Sequence, residues 1–426
     1  MNTQPSDRPR QGTPPEPPAG CPAGRRGRAG AGGTTRLYGP EASHAPYEIY
    51  ARLRKQYGPV APVLLEGDVP AWLVLGYREN RRVLDSPGQF SRDSRRWRDW
   101  KEGRIAEDSP LVPMLAWRPD CVSQDGAAHQ RLRRAVNDSM AFVTRRGIRR
   151  HVLHFAHRQI DDFAAAGRAD LVIQYAEYLP MLVLTRLFGL PETAGKSLAY
   201  SSAAVMKGGE DAITHNERIM RVLAELTEHK RAEPGPDFTT GLLQHPADLD
   251  EGEVHNHLRL VLIAAHTTTS NLLARVLQLI LSGRVRRADV VGGQRTVTAL
   301  VEEVMWNTPP VAVLPGRFAT SEAELGGQQI KTGDLLVLGL ASGNSDPEVR
   351  PHTGTAVQDN QAHLAFSSGP HECPGQNIGQ AIIETAVEVL FQRLPELNLA
   401  VGPAELTSTA STWESRLDRL PVLFPS

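Results

Sequence analysis

Apolar residues between positions 128 and 165 recur at intervals of three and four, the period of an amphipathic α-helix. A second apolar segment of helical period spans 176–190 and stops ahead of Pro191. The clearest pattern covers residues 251–282, where Asp250 and Glu253 have the spacing of a capping box and Gly283 lies just past the end. At about 1.5 Å per residue this rod is about 48 Å long, a length needed only by a helix that crosses a large domain. One more helical pattern follows Cys373 as far as about Gln392, with Pro374 suited to its first position. Strand patterns are fewer and shorter, at 70–75 and at 324–340, the latter broken by Gly326-Gly327. The balance predicts a mainly α fold with a small β portion.

Residues 1–35 hold seven Pro and seven Gly and no Leu, Ile, Val or Phe, so they cannot bury enough apolar surface to offset chain entropy. They are expected to form a disordered tail. The 426-residue length suggests about three domains on size alone, but no second Pro/Gly-rich linker follows. Residues 36–426 are therefore expected to form a single domain. Charge is balanced, with 47 Lys and Arg against 48 Asp and Glu, which removes the bulk electrostatic case for nucleic acid or a membrane surface. The longest aliphatic run, 260–265, is far shorter than the about 20 residues of a membrane span. Three scattered cysteines fit neither a disulfide framework nor a Cys-rich zinc module, and a reducing cytoplasmic location is the expectation.

The most informative stretch surrounds Cys373. A sulfur at the mouth of a helix meets free N–H groups and the positive end of the dipole, which favour a thiolate. Gly369 and Gly375 on either side remove side chains where something bulky can lie against the backbone. On these residues alone, three readings stay open: a small buried hydrophobe, a zinc ligand with His371 as its only near partner, or a nucleophile awaiting a base.

The pattern Phe366-x-x-Gly369-x-His371-x-Cys373-x-Gly375 resembles the haem-binding signature of the cytochrome P450 family. The resemblance implies haem b with Cys373 as the axial ligand of its iron, and a P450-like haem-thiolate fold. Two further segments are similar to the family's propionate anchors: His129 and Arg133, four apart on one helix face, and Arg317 in Arg317-Phe-Ala-Thr. His371 is a fourth expected anchor. Within 262–270, Ala264-Ala265-x-x-Thr268 looks like the family's oxygen groove, with Ala265 leaving room for the flat ring and Thr268 as the threonine that handles dioxygen and helps deliver protons.

Three positions depart from the family pattern. Thr267 stands where an acid is usual, so this catalytic position has only a hydroxyl to pass protons on. Adjacent His266 is titratable but turned by about 100°. Trp306 takes the place of the arginine in the family's Glu-x-x-Arg segment beginning at Glu303, and no Arg lies between Arg350 and Arg393. The indole is expected to pack where the guanidinium lay, donating to Glu303 or to a carbonyl. A bacterial subgroup often encoded beside small-GTPase signalling proteins is similar in lacking this arginine. Ser367 replaces the loop's first glycine.

The resemblance implies a monooxygenase that inserts one atom of O₂ into a small or medium organic substrate. Electrons are expected from a separate ferredoxin and ferredoxin reductase. The alternative is a haem-binding sensor or scaffold among signalling proteins. Residues 90–121, which in the family choose the substrate, mix three Trp with Arg, Lys, Asp and Glu, and name no substrate.

Overall fold

A computed structural model describes residues 33–141, 144–207, 211–350 and 360–426. Nearly all of the segment expected to be a disordered tail lies outside the described residues. Its end does not: Thr35 pairs with Val63 and Arg36 with Leu64 in parallel, so the ordered chain reaches at least one residue further than expected. Residues 35–426 form one compact unit.

The apolar period at 128–165 resolves into two helices, Gly126–Ala141 and Arg145–Ala164. The next segment begins with a π-helical turn, Val172–Ala176, and continues as Tyr178–Phe188, ending at Gly189 in the left-handed conformation (φ 77°). The long central helix is Glu251–Leu281. Its capping box is formed: Asp250 Oδ1 accepts from the Glu253 N–H at 2.8 Å, and Glu253 Oε2 from the Asp250 N–H at 3.1 Å. By length and mean hydropathy this helix could cross a membrane, although its longest unbroken aliphatic run is short; 67% of its most apolar window is buried inside the protein, the situation of a core helix. It packs against Tyr178–Phe188, Gly195–Lys207, Val297–Asn307 and Gln376–Arg393.

The β portion is larger than the pattern suggested. A six-stranded sheet runs in the order Thr35–Arg36, Val60–Leu65, Val69–Val74, Leu335–Gly339, Val313–Ala319, Phe90–Ser91. Leu335–Gly339 is buried along its whole length, as a strand covered on both faces must be. Gly326 and Gly327, at φ 56° and 77°, turn the hairpin Ala323–Leu325/Gln328–Ile330 with the handedness a tight two-residue turn requires. Cys373 and Arg317 thus come from a loop before one core helix and from an inner strand of this sheet.

Candidate active site

The cysteine loop is built by its own backbone. The Cys373 N–H donates to the Phe366 carbonyl at 2.9 Å and the Ser367 N–H to that of Leu364 at 2.8 Å. Ser367 and Gly369 both have positive φ, 64° and 68°. A Cβ on Gly369 would lie 2.9 Å from the Leu84 carbonyl oxygen and 3.0 Å from Asp85 Oδ1, so only glycine fits against the end of helix Tyr77–Asp85. A Cβ on Gly375 would meet nothing but Cys373 Sγ, at 3.8 Å; the space before the sulfur is open.

Helix Gln376–Arg393 begins later than its pattern suggested. Gly375 is its N-cap, Pro374 lies in the preceding turn, and Cys373 is two residues ahead of the cap. This weakens the dipole argument for a ready-made thiolate. The sulfur borders open space, yet burial in the surrounding protein is the largest influence and pushes the thiol up, against the pull of the Gly375 N–H and of Arg133. A thiolate at this position calls for a cation in front of it.

Arg317 is 1% exposed, and Nε, Nη1 and Nη2 all lack a partner among the described residues. Burial and the neighbouring Arg92 push its pKa down, and only Asp125 opposes them. Around it stand two more unsatisfied groups, His129 Nε2 and His371 Nδ1, on rings whose centroids are 4.2 Å apart. His371 is oriented by Asp125, with Nε2 3.0 Å from Oδ1, while Asp125 also accepts from Ser91 Oγ and the Arg92 N–H. Burial lowers both imidazoles, His371 to about 4. An uncompensated buried guanidinium is costly unless an anion completes it. Orphaned donors on three side chains, an open space before a sulfur and a glycine that keeps it open fit a flat dianionic metallo-cofactor. Arg133 is held by the Glu372 carbonyl and, at 3.0 Å from Nε, by Asn137 Oδ1, and so braces the cysteine loop.

The central helix supplies the other wall. Gly379, on the helix after Cys373, would carry a Cβ 3.9 Å from Thr269 Oγ1. Midway along this helix, between buried neighbours, Ala264 is exposed and Ala265 and Thr268 are half-buried, so open space lies beside them. Thr268 Oγ1 donates to the Ala264 carbonyl at 2.6 Å, and the helix continues through this point without a break. Thr267 is buried, and its hydroxyl has no partner among the described residues. His266 turns the other way, Nε2 donating to the Glu177 carbonyl at 2.8 Å; burial lowers it to about 4, and it is a neutral core residue.

Trp306 fills its place as expected. It is 2% exposed, its Nε1 donates to the Asn360 carbonyl at 2.6 Å, and its ring meets His363 edge-on at 6.0 Å. The acid of this region is not the expected one. Glu303 lies nearer the surface with Arg295. The buried carboxylate is Glu302, 2.9 Å from His363 Nε2 and 3.1 Å from Gln380 Nε2. A guanidinium is present after all: Arg350 lies over the Trp306 ring at 5.3 Å and donates to Asn307 Oδ1 at 3.1 Å. The structure also adds Asp125 and Glu302, which position other site groups; only their closeness to His129 and Glu303 in the chain hinted at them.

No family model matches the chain. Pairwise similarity decides its relationship. The cytochrome P450 monooxygenase PikC of Streptomyces venezuelae is 31% identical, over 90% of this chain and 92% of its own. The chain belongs to the cytochrome P450 family. A second P450-sized relative, the 2-hydroxy-5-methyl-1-naphthoate 7-hydroxylase of Streptomyces carzinostaticus, is also 31% identical, over 87% of this chain and 93% of its own. Among solved structures, CYP154C4 from Streptomyces sp. W2061 superposes with a TM-score of 0.83 at 26% identity, covering 92% of this chain and 99% of that one. This P450 is a monooxygenase, and its cofactor is haem b.

Proposed function

We propose that this P450 is a cytoplasmic haem-thiolate monooxygenase in which Cys373 ligates the iron and Arg317, His129 and His371 hold the propionates. One atom of O₂ enters a small or medium organic substrate, with electrons from a separate ferredoxin and ferredoxin reductase. The observation that carries the reading is Arg317, a buried guanidinium whose three nitrogens await an anion. Bound haem supplies the redox chemistry that activates O₂, and a thiolate ligand adds electron density favouring O–O cleavage.

The remaining work falls to the chain. The Gly375 N–H and the Phe366 carbonyl fix the direction of Cys373. Phe366, Gly369 and Gly375 shape the loop, and Arg133 braces it through Glu372. A carboxylate beside His129 and His371 raises both imidazoles toward their charged forms. Ala265 leaves room for the flat ring. Thr268 holds its hydroxyl proton on the Ala264 carbonyl and keeps its lone pairs for the open space. Thr267 brings no acid, so protons arrive along water through hydroxyls, and His266 is turned away. None of the relatives named above is a sensor or scaffold, and that alternative gains no support from them.

The purified, haem-supplied protein should give the thiolate-type spectrum of a reduced CO complex, and Cys373→Ala should lose it. Product should form with a surrogate ferredoxin, its reductase and a substrate panel. Retention of the thiolate spectrum in Cys373→Ala would overturn the ligand assignment; full haem loading without product across the panel would overturn the monooxygenase reading.

A further inference from the structure

The hairpin Ser408–Ala410/Ser415–Leu417 carries at its tip a carboxyl that the proposed function leaves unused. Glu414 is half-buried, and Oε2 accepts one hydrogen bond, from Asn271 Nδ2 at 3.2 Å. Among the described residues no cation lies within 4.0 Å of it. Arg416, its neighbour on the hairpin, reaches instead to Glu177 at 3.2 Å. Arg275, on the central helix one turn past Asn271, donates to Gln278 and to Ser415 Oγ, each at 3.0 Å. Burial is the largest influence on this carboxyl and pushes it up to about 7, against Arg416 and Asn271.

The tip is rigid. The Ser411 N–H donates to the Glu414 carbonyl at 2.8 Å, the Glu414 N–H to Ser411 Oγ at 3.2 Å, and the Trp413 carbonyl accepts from the Ala312 and Val313 N–H groups. Its place along the central helix is also defined. Residues 264, 268, 271 and 275 lie on one stripe of an α-helix. The stripe borders open space at Ala264 and Thr268 and is capped by the hairpin at Asn271 and Arg275. Asn271, which holds the carboxyl, is one turn past Thr268, a rise of about 4.5 Å.

We propose that Glu414 is the recognition site for a cationic group of the substrate, an ammonium carried on an otherwise apolar body that lies beside Ala264 and Thr268. This rests on the reading above only in taking that space as the substrate side of the haem. A half-buried carboxyl with one amide donor and no cation beside it keeps acceptor capacity and unmatched charge, and an incoming cation supplies the opposite charge. The nearby arginines do not reach it: among the described residues neither lies within 4.0 Å, Arg416 pairing with Glu177 and Arg275 donating to Gln278 and Ser415.

The test uses the haem-loaded protein and three probes of one shape: phenylbutyl-trimethylammonium, its uncharged tert-butyl isostere, and phenylpentanoate. Quaternary nitrogen avoids direct binding to iron. Binding is read from the spin-state change in the absorption spectrum. In the wild type the cation should bind at least about tenfold more tightly than the neutral isostere, a difference of about 1.4 kcal/mol, and the carboxylate most weakly. Glu414→Gln should erase the preference and leave affinity for the neutral probe within about twofold. Equal binding of cation and isostere by the wild type, stronger binding of the carboxylate, a preference that survives in Glu414→Gln, or failure of all three to bind would each overturn the proposal. The wild-type comparison stands without the variant should Glu414→Gln not fold. A normal thiolate CO spectrum in the same samples separates loss of this proposal from loss of the haem-thiolate reading, which predicts that spectrum whatever the probes do.

Discussion

Ser367 and Gly369 adopt nearly the same left-handed backbone, yet only one of them is a glycine. An L-residue there costs about 1–2 kcal/mol, and the Ser367 hydroxyl is buried without a partner among the described residues. Ser367→Gly should therefore raise the unfolding free energy by about 1 kcal/mol or more, in urea titrations of the haem-free protein; a loss of stability would mean that the serine has a compensating role. Arg317 makes a sharper case, because its two effects have opposite signs. Arg317→Met removes a buried unpaired charge and should stabilise the haem-free protein by about 1–4 kcal/mol, while the loaded protein should lose haem faster to an acceptor globin. If the haem-free variant were less stable, the guanidinium would not be awaiting an anion. Cys373, Arg317 and His371 could be singled out in the sequence because the segments that carry them resemble those of the family. The direction of the Cys373 shift and the partner of Arg133 could not, since both depend on what the folded chain packs around them.

Elements that announce themselves locally were the easiest to read. The central helix carries its own start signal in Asp250 and Glu253, and the glycine-turned hairpin carries its own reversal. The six-stranded sheet was largely missed because its pieces are two to seven residues long and come from distant segments, with parallel pairings that no short-range pattern encodes. The same limit explains the choice of Glu303 over Glu302. Adjacent glutamates look alike in sequence, and only helix rotation sends Glu302 inward to His363 and Gln380 while Glu303 faces Arg295. Trp306 and Arg350 form a ring–guanidinium pair across two segments. Trp306→Phe should cost about 1 kcal/mol through the lost bond to Asn360. Trp306→Arg should cost about 3 kcal/mol or more by setting two guanidinium groups against each other. Adding Arg350→Phe to Trp306→Arg should recover part of that loss, as a double-mutant cycle on thermal unfolding would show; purely additive costs would mean that the two side chains are not coupled.

Across the whole molecule, the central helix is both the wall of the open space and the strut on which the other helices pack, and its polar residues divide between those tasks. Ala264 and Thr268 face the space; His266 and Ser270 face inward to the Glu177 carbonyl, where the π-helical turn gives way to Tyr178–Phe188. His266 therefore links folding to pH without touching the site chemistry. Its pKa is lowered to about 4 in the folded chain, chiefly by burial, against about 6.5 when unfolded. Between these values the unfolded state binds the extra proton, so stability contributed by neutral His266 is complete above about pH 6.5. It drains away as pH falls toward 4, in total by about 3 kcal/mol. His266→Gln keeps a donor for the Glu177 carbonyl and removes the titration. Urea titrations from pH 7 to 4 should show a shallower acid limb for the variant by about that amount, with similar stability at neutral pH. An unchanged limb would place the acid sensitivity elsewhere and make the contact with Glu177 incidental to it. Reconstituted wild type and variant should keep the same CO spectrum at pH 7, because the ring that titrates points to the Glu177 carbonyl and not to the open space beside Ala264 and Thr268.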